Sequence, residues 1–413
     1  MTRFIADIIV IGAGPAGLCI ACDLADLGCS VALVTPDDQL SWNNTFGVWS
    51  DDLRQSPLAD CIAREWSTSH VVLPDGVRDL GRGYALIDND AAAQSFTTLC
   101  AQKAVQTIVG TVVGVDHDDV GSTVTLHSGE RLRTVLVIDA TGVGKFTTYQ
   151  GPAPSLWQVA VGRKLVGEHP YPSDAMRLMD FSSEGLFDEQ EAPSFLYAMP
   201  LEDGVFVEET YLIAPPGGEL AELERRLDAR LQRDGVKAIP TGEVEHVRIP
   251  MNTALPKANQ RIVPFGAAAA MIHPATGYSV GRSLHASRPL AQAIATAMDA
   301  SRDPASVARI AHRALWSDDA RLVHDLLTYG GEFISGLNTQ QTRTFFQSFF
   351  STPQQTWVDY MRGDLSAGQL ASVMLTVFRS SPQSMRMRMM WSGARPTTVV
   401  SALRSLTRTR RSA

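Results

Sequence analysis

Glu208 and Glu209, in the stretch VFVEET at 205–210, are the residues best placed to do chemistry. The run alternates as a strand does, and neighbouring side chains of an extended chain point to opposite faces. Only one of the two carboxyls can therefore share a face with Phe206. A carboxyl aimed into apolar surroundings is costly to ionise, so it stays protonated at a pH where an exposed one does not. The competing reading is an edge strand with both carboxylates in water.

The elements that must position such a pair begin at the N-terminus. Residues 5–11 (IADIIVI) read as a buried parallel strand, followed by a helix to about Gly28 and a strand at 30–35 (SVALVT). This is a β-α-β unit. Its first turn carries Gly12-Ala13-Gly14-Pro15-Ala16-Gly17, the G-x-G-x-x-G order in the required strand-to-helix context. The first glycine permits the tight turn, the second admits a pyrophosphate, and the third lets helix pack on strand. Thr35 stands where an acidic residue usually holds a ribose hydroxyl, with Asp37 and Asp38 just beyond as substitutes.

Two later segments extend the site. The apolar run 134–140 ends in DATG, placing Thr141 and Gly142 at a second contact, and Val113 in the run 107–115 is grouped with them. A third contact is Phe265-Gly266-Ala267, followed by HPATGYSVGRSL with Thr276, Gly277 and Tyr278. These resemble the second and late motifs of flavoproteins of the glutathione-reductase type, with Ala267 in place of the usual aspartate. Three segments in this order favour FAD over a bare NAD site.

Residues 41–52 read as a loop, 90–106 as a helix, and 107–115 with 120–127 as a hairpin. From about 155 the chain is strand-rich, with a helix at 221–235, a strand at 261–266 and mainly helices after 300. The fold class expected is α/β: an FAD-binding Rossmann-like domain of glutathione-reductase type, an antiparallel-sheet substrate domain, and a helical C-terminal region. The boundaries expected are 1–154 and 256–300 for the FAD-binding domain, 155–255 for the substrate domain, and 301–413 for the helical region.

Bulk properties narrow the function. The 413 residues are 45% apolar and 19% charged, as in a core-forming protein, and the net charge of −8 gives nucleic-acid binding no support. Cys19, Cys22, Cys29, Cys61 and Cys100 follow no disulfide or zinc framework, which points to reduced thiols in a cytoplasmic setting and to no metal. No signal peptide precedes the glycine loop and no window approaches twenty uncharged apolar residues. The last acidic residue is Asp364; beyond it Arg379, Arg386, Arg388, Arg395, Arg404, Arg408, Arg410 and Arg411 are interleaved with apolar residues. This suits an anionic membrane surface, or equally a helical cap with a basic tail.

Further segments carry a family resemblance across roughly residues 5–300. NNTFGVW (43–49) is similar to N-Y-G-V-W, with Phe46 where tyrosine is usual. WQVAVG (157–162), HPYPSDAMRLMDFS (169–182), FLYAMPL (195–201), FVEET (206–210), EH with IPM (245–251) and HPATGYSV (273–280) continue the pattern, and FFQSFF (345–350) follows less specifically. The chain resembles the lycopene cyclases of the plant and cyanobacterial type. Tyr84-Ala85-Leu86-Ile87-Asp88 departs from the family's Y-G-R-V-D by lacking the arginine.

The resemblance implies redox-neutral closure of the linear ends of lycopene into rings, with FAD active in its reduced form and NAD(P)H as reductant. It implies that Glu208 and Glu209 are essential. Protonating an alkene needs an acid that is still protonated at neutral pH, and the resulting cation needs a dry, electron-rich surrounding. Glu208 shares its parity with Phe206 and is assigned as cavity-facing acid/base, with Glu209 as an orienting or structural partner. Trp42, Phe46 and Trp49 either line an isoprenoid channel or pin their loop; Tyr197 and Met199 are core or substrate wall; His273 shapes its loop rather than moving protons; His246 has no role assigned.

The substrate implied is a membrane-dissolved carotenoid, met from the bacterial cytoplasm by a protein peripheral on the inner face of the membrane. A cyclase of another isoprenoid, an FAD-dependent monooxygenase and a non-catalytic carotenoid carrier stay open beside this reading. Ring type, β or ε, and the number of ends closed are left open too.

Overall fold

Ile8, Ile9 and Val10 are fully buried at the centre of the first sheet of the computed structural model, each contributing roughly 1.5–3 kcal/mol by leaving water. The structure describes residues 4–37, 40, 42, 44–54, 56–142, 144–183, 185–188, 191–214 and 220–391.

The chain opens with β1 (Phe4–Ile11), α1 (Pro15–Asp26) and β2 (Val31–Thr35). There follow β3 (Gly47–Trp49), α2 (Ser50–Leu53), β4 (Ile62–Trp66), β5 (Thr68–Leu73), β6 (Gly76–Asp79), β7 (Tyr84–Ile87) and α3 (Asn89–Gln102). Next come β8 (Gln106–Val109), β9 (Val112–Asp118), β10 (Gly121–Leu126) and β11 (Arg131–Asp139). The middle contains β12 (Trp157–Val166), β13 (Ala175–Asp180), β14 (Ser194–Pro200), β15 (Gly204–Ala214), α4 (Leu220–Arg233), β16 (Ile239–Pro250) and β17 (Ile262–Pro264). Helices α5 (Val280–Ala300), α6 (Pro304–Leu315), α7 (Asp318–Ser335), α8 (Thr339–Phe350), α9 (Gln354–Arg362), α10 (Ala367–Ser380) and α11 (Gln383–Trp391) end the described chain.

The first sheet runs β8-β2-β1-β11-β10-β9, with β17 also on β11. Its β8, β2, β1, β11 and β17 are parallel, so their C-terminal ends meet at one edge, where such folds bind ligands. The run 107–115 is not one hairpin arm. It breaks after Val109: β8 pairs in parallel with β2, while β9 pairs antiparallel with β10. The helix expected to 106 ends at Gln102, with Ala104 in the left-handed region at φ 55°.

The second sheet runs β16-β12-β15-β14-β13-β5-β6, antiparallel except for β13 with β5. It takes β5 and β6 from inside 1–154, so that segment does not stay with one sheet. Residues 41–52, expected as loop, include β3 and α2, and β3 joins β7 and β4 in a small third sheet. One face of the second sheet packs under α4 through Val159, Val161, Leu165, Val205, Val207, Leu223 and Leu227. The other face looks toward the C-terminal helices, whose FFQSFF run supplies Phe345, Phe346, Phe349 and Phe350 to a buried aromatic cluster. Phe346 stacks on Phe181 with centroids 5.2 Å apart.

Candidate active site

The glycine loop is shaped for close backbone approach. Gly12 has φ +106°, and a Cβ there would lie 2.5 Å from the Ala140 carbonyl oxygen. A Cβ on Gly17 would lie 1.9 Å from the Gly12 oxygen. Gly14 differs: nothing lies within 4 Å of its Cβ position, and α1 starts from it without a side-chain cap. The N-terminal N–H groups of a helix opening onto free space suit a pyrophosphate. Ala13 accepts a bond from Trp42 Nε1 at 3.1 Å, so Trp42 pins its loop to this turn.

The other two contacts converge here. Thr141 follows Asp139, which is buried and spends both carboxylate oxygens on residues 141–147. Gly142 has φ +78°, and a Cβ on Gly266 would lie 2.6 Å from Ala16 Cβ. Ala267 packs against the aromatic cluster. Thr35 closes β2 and is buried, Asp37 is exposed, and Asp38 lies outside the described residues. Val113 stands on edge strand β9, 50% exposed, and does not line the cavity described next. These features fit a dinucleotide such as FAD.

A cavity of about 800 Å3 lies between the second sheet, β3 and the 273–282 segment, within the ordinary range for small-molecule sites. It brings together Phe46, Trp49, Tyr197, Phe206, Glu208, His273, Thr276, Gly277 and Tyr278. The parity of β15 explains the selection: Phe206, Glu208, Thr210 and Leu212 line the cavity, while Val205, Val207 and Tyr211 pack on the α4 side.

Glu208 is half-buried, and the cavity is what it faces. Burial pushes its carboxyl from 4.5 up to about 7; the Thr210 hydroxyl, donating to Oε1 at 2.6 Å, opposes this, and the charges of Glu245 and Glu209 add to it. Glu209 is fully buried on the opposite face. Its Oε2 lies 2.8 Å from Arg230 Nε of α4, and Ser194 Oγ donates to its Oε1 at 2.6 Å. Burial raises its pKa, and Arg230 and Ser194 pull the other way. Glu209 thus faces the cation of α4 and not the cavity.

His273 lines the cavity but is 1% exposed and fully engaged. Its Nε2 lies 2.9 Å from the Tyr360 carbonyl, which can only accept, and its Nδ1 accepts the Ala275 N–H at 3.3 Å. This fixes the Nε2–H tautomer. Burial holds the imidazole down at about 3. Met199 is fully buried in the aromatic cluster, and His246 is exposed near Glu224.

Around Glu208 the wall is aromatic. Tyr197 is its direct cross-strand neighbour, and Tyr84 lies edge-on to both Tyr197 and Trp49, at centroid distances of 6.2 and 5.2 Å. Burial holds Tyr84, Tyr197 and Tyr278 well above the ordinary phenol range, so all three are neutral. The Arg82 guanidinium sits 4.2 Å from the Trp49 ring centroid. It donates to Asp51 and Asp52, as does Arg362 of α9, clamping α2 between them.

Sequence reasoning missed Thr210, Tyr84, Glu245 and Arg282. Thr210 carried a signal, since it has the parity of Glu208 on one strand. Arg282, in the first turn of α5, lines the cavity, and its Nη1 is buried without a hydrogen-bond partner among the described residues. Burial lowers its pKa to about 10. Nothing local marks it beyond a cation beginning a helix after a glycine-rich turn.

A family model described as "Lycopene cyclase protein" matches residues 7–387. The chain belongs to the lycopene cyclase family. With that it stands among the enzymes of carotenoid end-group cyclisation. A chloroplastic lycopene beta cyclase of Nicotiana tabacum is 31% identical, over 95% of this chain and 81% of that one. A lycopene beta cyclase of Synechococcus elongatus is 34% identical, over 93% and 95%. A chloroplastic neoxanthin synthase of Solanum lycopersicum is 33% identical, over 90% and 77%.

Among solved structures, a geranylgeranyl bacteriochlorophyll reductase-like protein from Thermoplasma acidophilum superposes with a TM-score of 0.72 at 16% identity, covering 92% of this chain and 98% of that one. A flavoprotein/dehydrogenase from Cytophaga hutchinsonii gives 0.66 at 12%, covering 93% and 99%. At these identities the likeness is one of fold, and the fold is that of flavoproteins. No helix among the described residues is long and apolar enough to cross a membrane.

Proposed function

We propose that this lycopene cyclase family member closes the linear end groups of lycopene into ionone rings without net redox change, with Glu208 as the acid and base. The observation that carries the reading is Glu208 itself: a carboxyl raised to about 7, facing an aromatic cavity, with only the Thr210 hydroxyl as direct hydrogen-bond partner among the described residues. Such a group is substantially protonated at neutral pH and can still give its proton up.

Glu208 gives its proton to the terminal double bond, leaving a tertiary cation. The next double bond attacks that cation, forming the ring bond and moving the charge to a ring carbon. Loss of a proton from an adjacent carbon to the Glu208 carboxylate completes the ring, so product and substrate have equal mass. The rings of Trp49, Tyr84 and Tyr197 offer electron-rich surroundings to the cation, and the burial of Trp49 and Tyr84 keeps water away. Thr210 holds the Glu208 carboxyl in one orientation.

Gly12, Gly14, Gly17, Thr141, Gly142, Gly266 and Ala267 would hold FAD at its phosphates, and Thr276, Gly277 and Tyr278 would border the cavity end. Arg282, with its unpartnered Nη1, would meet an anionic ring system. Reduced FAD, regenerated by NAD(P)H, would supply negative charge to the cavity. The substrate would come from the membrane, on the inner face of the bacterial cytoplasmic membrane. Helices α10 and α11 pack on the body through Leu370, Val377 and Met385, and they expose Leu375, Met387 and Met390 beside Arg379, Arg386 and Arg388. Arg395, Arg404, Arg408, Arg410 and Arg411 lie outside the described residues.

The neoxanthin synthase relative, as similar as the cyclases, favours a second reading in which the closing end group belongs to another carotenoid. Anaerobic incubation with lycopene-bearing liposomes, FAD and dithionite separates the possibilities. Conversion to a product of equal mass and shortened chromophore supports lycopene as substrate. No conversion despite bound, reducible flavin points to the other end group. A product heavier by one oxygen once air is admitted indicates a monooxygenase.

A further inference from the structure

Glu245 on β16 has no part in the mechanism above, yet it stands opposite Glu208. Both pair in register with Gly162 of β12, which lies between their strands. Residues paired directly share a face of the sheet, and both carboxylates line the cavity. With strands ~4.8 Å apart, their backbones are about 10 Å from one another. Gly162 puts no side chain between them: a Cβ there would lie 2.6 Å from the Phe206 ring and 3.5 Å from Glu245 Cβ. What fills the gap is the Phe206 ring, an apolar body that screens charge poorly.

Glu245 also grips the opposite wall. Its Oε1 accepts the Thr45 N–H at 2.9 Å, and its Oε2 accepts the Thr45 hydroxyl at 2.6 Å. Thr45 leads directly into Phe46 and β3, the strand that carries Trp49. One carboxylate therefore ties the wall shut and holds negative charge over the acid.

We propose that Glu245 is a positioning residue for ring closure, pinning the 45–49 wall through Thr45 and keeping Glu208 protonated by its charge. The inference rests on Glu208 being the acid. Around Glu208 stand Thr210 on its own strand, Tyr197 of β14, Tyr84 of β7 and Tyr278 ahead of α5, all uncharged. The charged and titratable groups of the wall are Glu245 of β16, Asp52 with Arg362, which pair together, Arg282 and His285 of α5, and Asp364 after α9. His246 and Arg248 of β16 flank the rim, and neutral His273 lies beyond. The charge of Glu245 pushes the Glu208 carboxyl up, and Glu209 adds its charge from behind the sheet.

The test is the pH dependence of kcat and KM for Glu245→Gln, Glu245→Asp and Thr45→Val, with bound-flavin absorbance checking assembly. Glu245→Gln keeps a hydrogen-bonding amide but loses the charge. It should move the alkaline limb of kcat downward by roughly half to one pH unit. Glu245→Asp should restore that limb even where KM rises. Thr45→Val should leave the limb in place and raise KM several-fold. An unmoved limb in Glu245→Gln overturns the electrostatic role, and an unchanged KM in Thr45→Val overturns the clasp. Full activity of Glu208→Gln would instead remove the acid assignment, a failure distinguishable from either.

Discussion

Glu208 and Glu209 are neighbours in the chain and lie on opposite faces of one sheet. Glu208 looks into an aromatic cavity with the Thr210 hydroxyl on it; Glu209 is sealed beneath α4 against Arg230. The two carboxyls should therefore fail in different ways. Glu208→Gln should reduce turnover by roughly 10²–10⁴-fold while leaving the denaturation midpoint near that of the parent protein. Glu209→Ala strands a buried guanidinium and should cost about 3–5 kcal/mol, read by urea unfolding. Equal destabilisation by both would contradict the division of roles.

The pH dependence follows from Glu208 being raised from 4.5 to about 7. On the proposed mechanism the protonated form starts the reaction, so kcat should decline as pH rises through about 7. The sign for stability is the same. Between about 4.5 and 7 the folded protein binds a proton at Glu208 that the unfolded chain has lost, so folding weakens as pH rises across that window. Stability curves of Glu208→Gln at several pH values should lack this component.

His273 should behave in the opposite sense. Held down at about 3 from its ordinary 6.5, it stays neutral in the fold while the unfolded chain takes up a proton. Stability is lost as pH falls below about 6.5 toward 3. His273→Ala should cost about 1–3 kcal/mol by leaving the Tyr360 carbonyl unpaired. It should remove that acid-side loss without moving the alkaline limb of kcat, since neither ring nitrogen is free to transfer a proton.

The glycine loop offers a contrast within six residues. Gly12→Ala forces a Cβ against the Ala140 carbonyl at a left-handed backbone and should destabilise the fold by ~1–3 kcal/mol. A Cβ at Gly14 meets nothing within 4 Å in the protein, and Gly14→Val keeps an ordinary φ of −73°. It should melt like the parent and yet retain much less FAD, because its side chain enters the space left for phosphates. Thermal melts and the flavin absorbance of purified protein check both.

Local chemistry made much of this site legible. The G-x-G-x-x-G turn was readable because Gly12 and Gly17 answer steric demands within a few residues, while Gly14 keeps the start of α1 open. The parity of VFVEET was readable because side-chain direction on a strand has a fixed period, and it put Phe206 and Glu208 together on the cavity wall. What stayed hidden depends on pairing across long separations. β5 adds to the second sheet beside β13, some hundred residues later, and nothing within TSHVVL announces that partner. Glu245 reaches Thr45 across 200 residues. The run TIVGTVVGV looked like one strand because its apolar pattern continues through Gly110, where the chain leaves β2 and joins β10. Val113, grouped with the cofactor in the sequence, stands exposed on the edge strand β9.

The central claim is that a proton from Glu208 starts ring closure and no redox equivalent is consumed. Single-turnover cyclisation in D2O, under anaerobic conditions with reduced flavin, tests it most directly by mass spectrometry of the product. One deuterium should be gained per ring closed, with flavin still reduced at the end and product from Glu208→Gln forming roughly 10²–10⁴-fold more slowly. Product that carries no deuterium, flavin oxidised in step with turnover, or undiminished product from Glu208→Gln would contradict it.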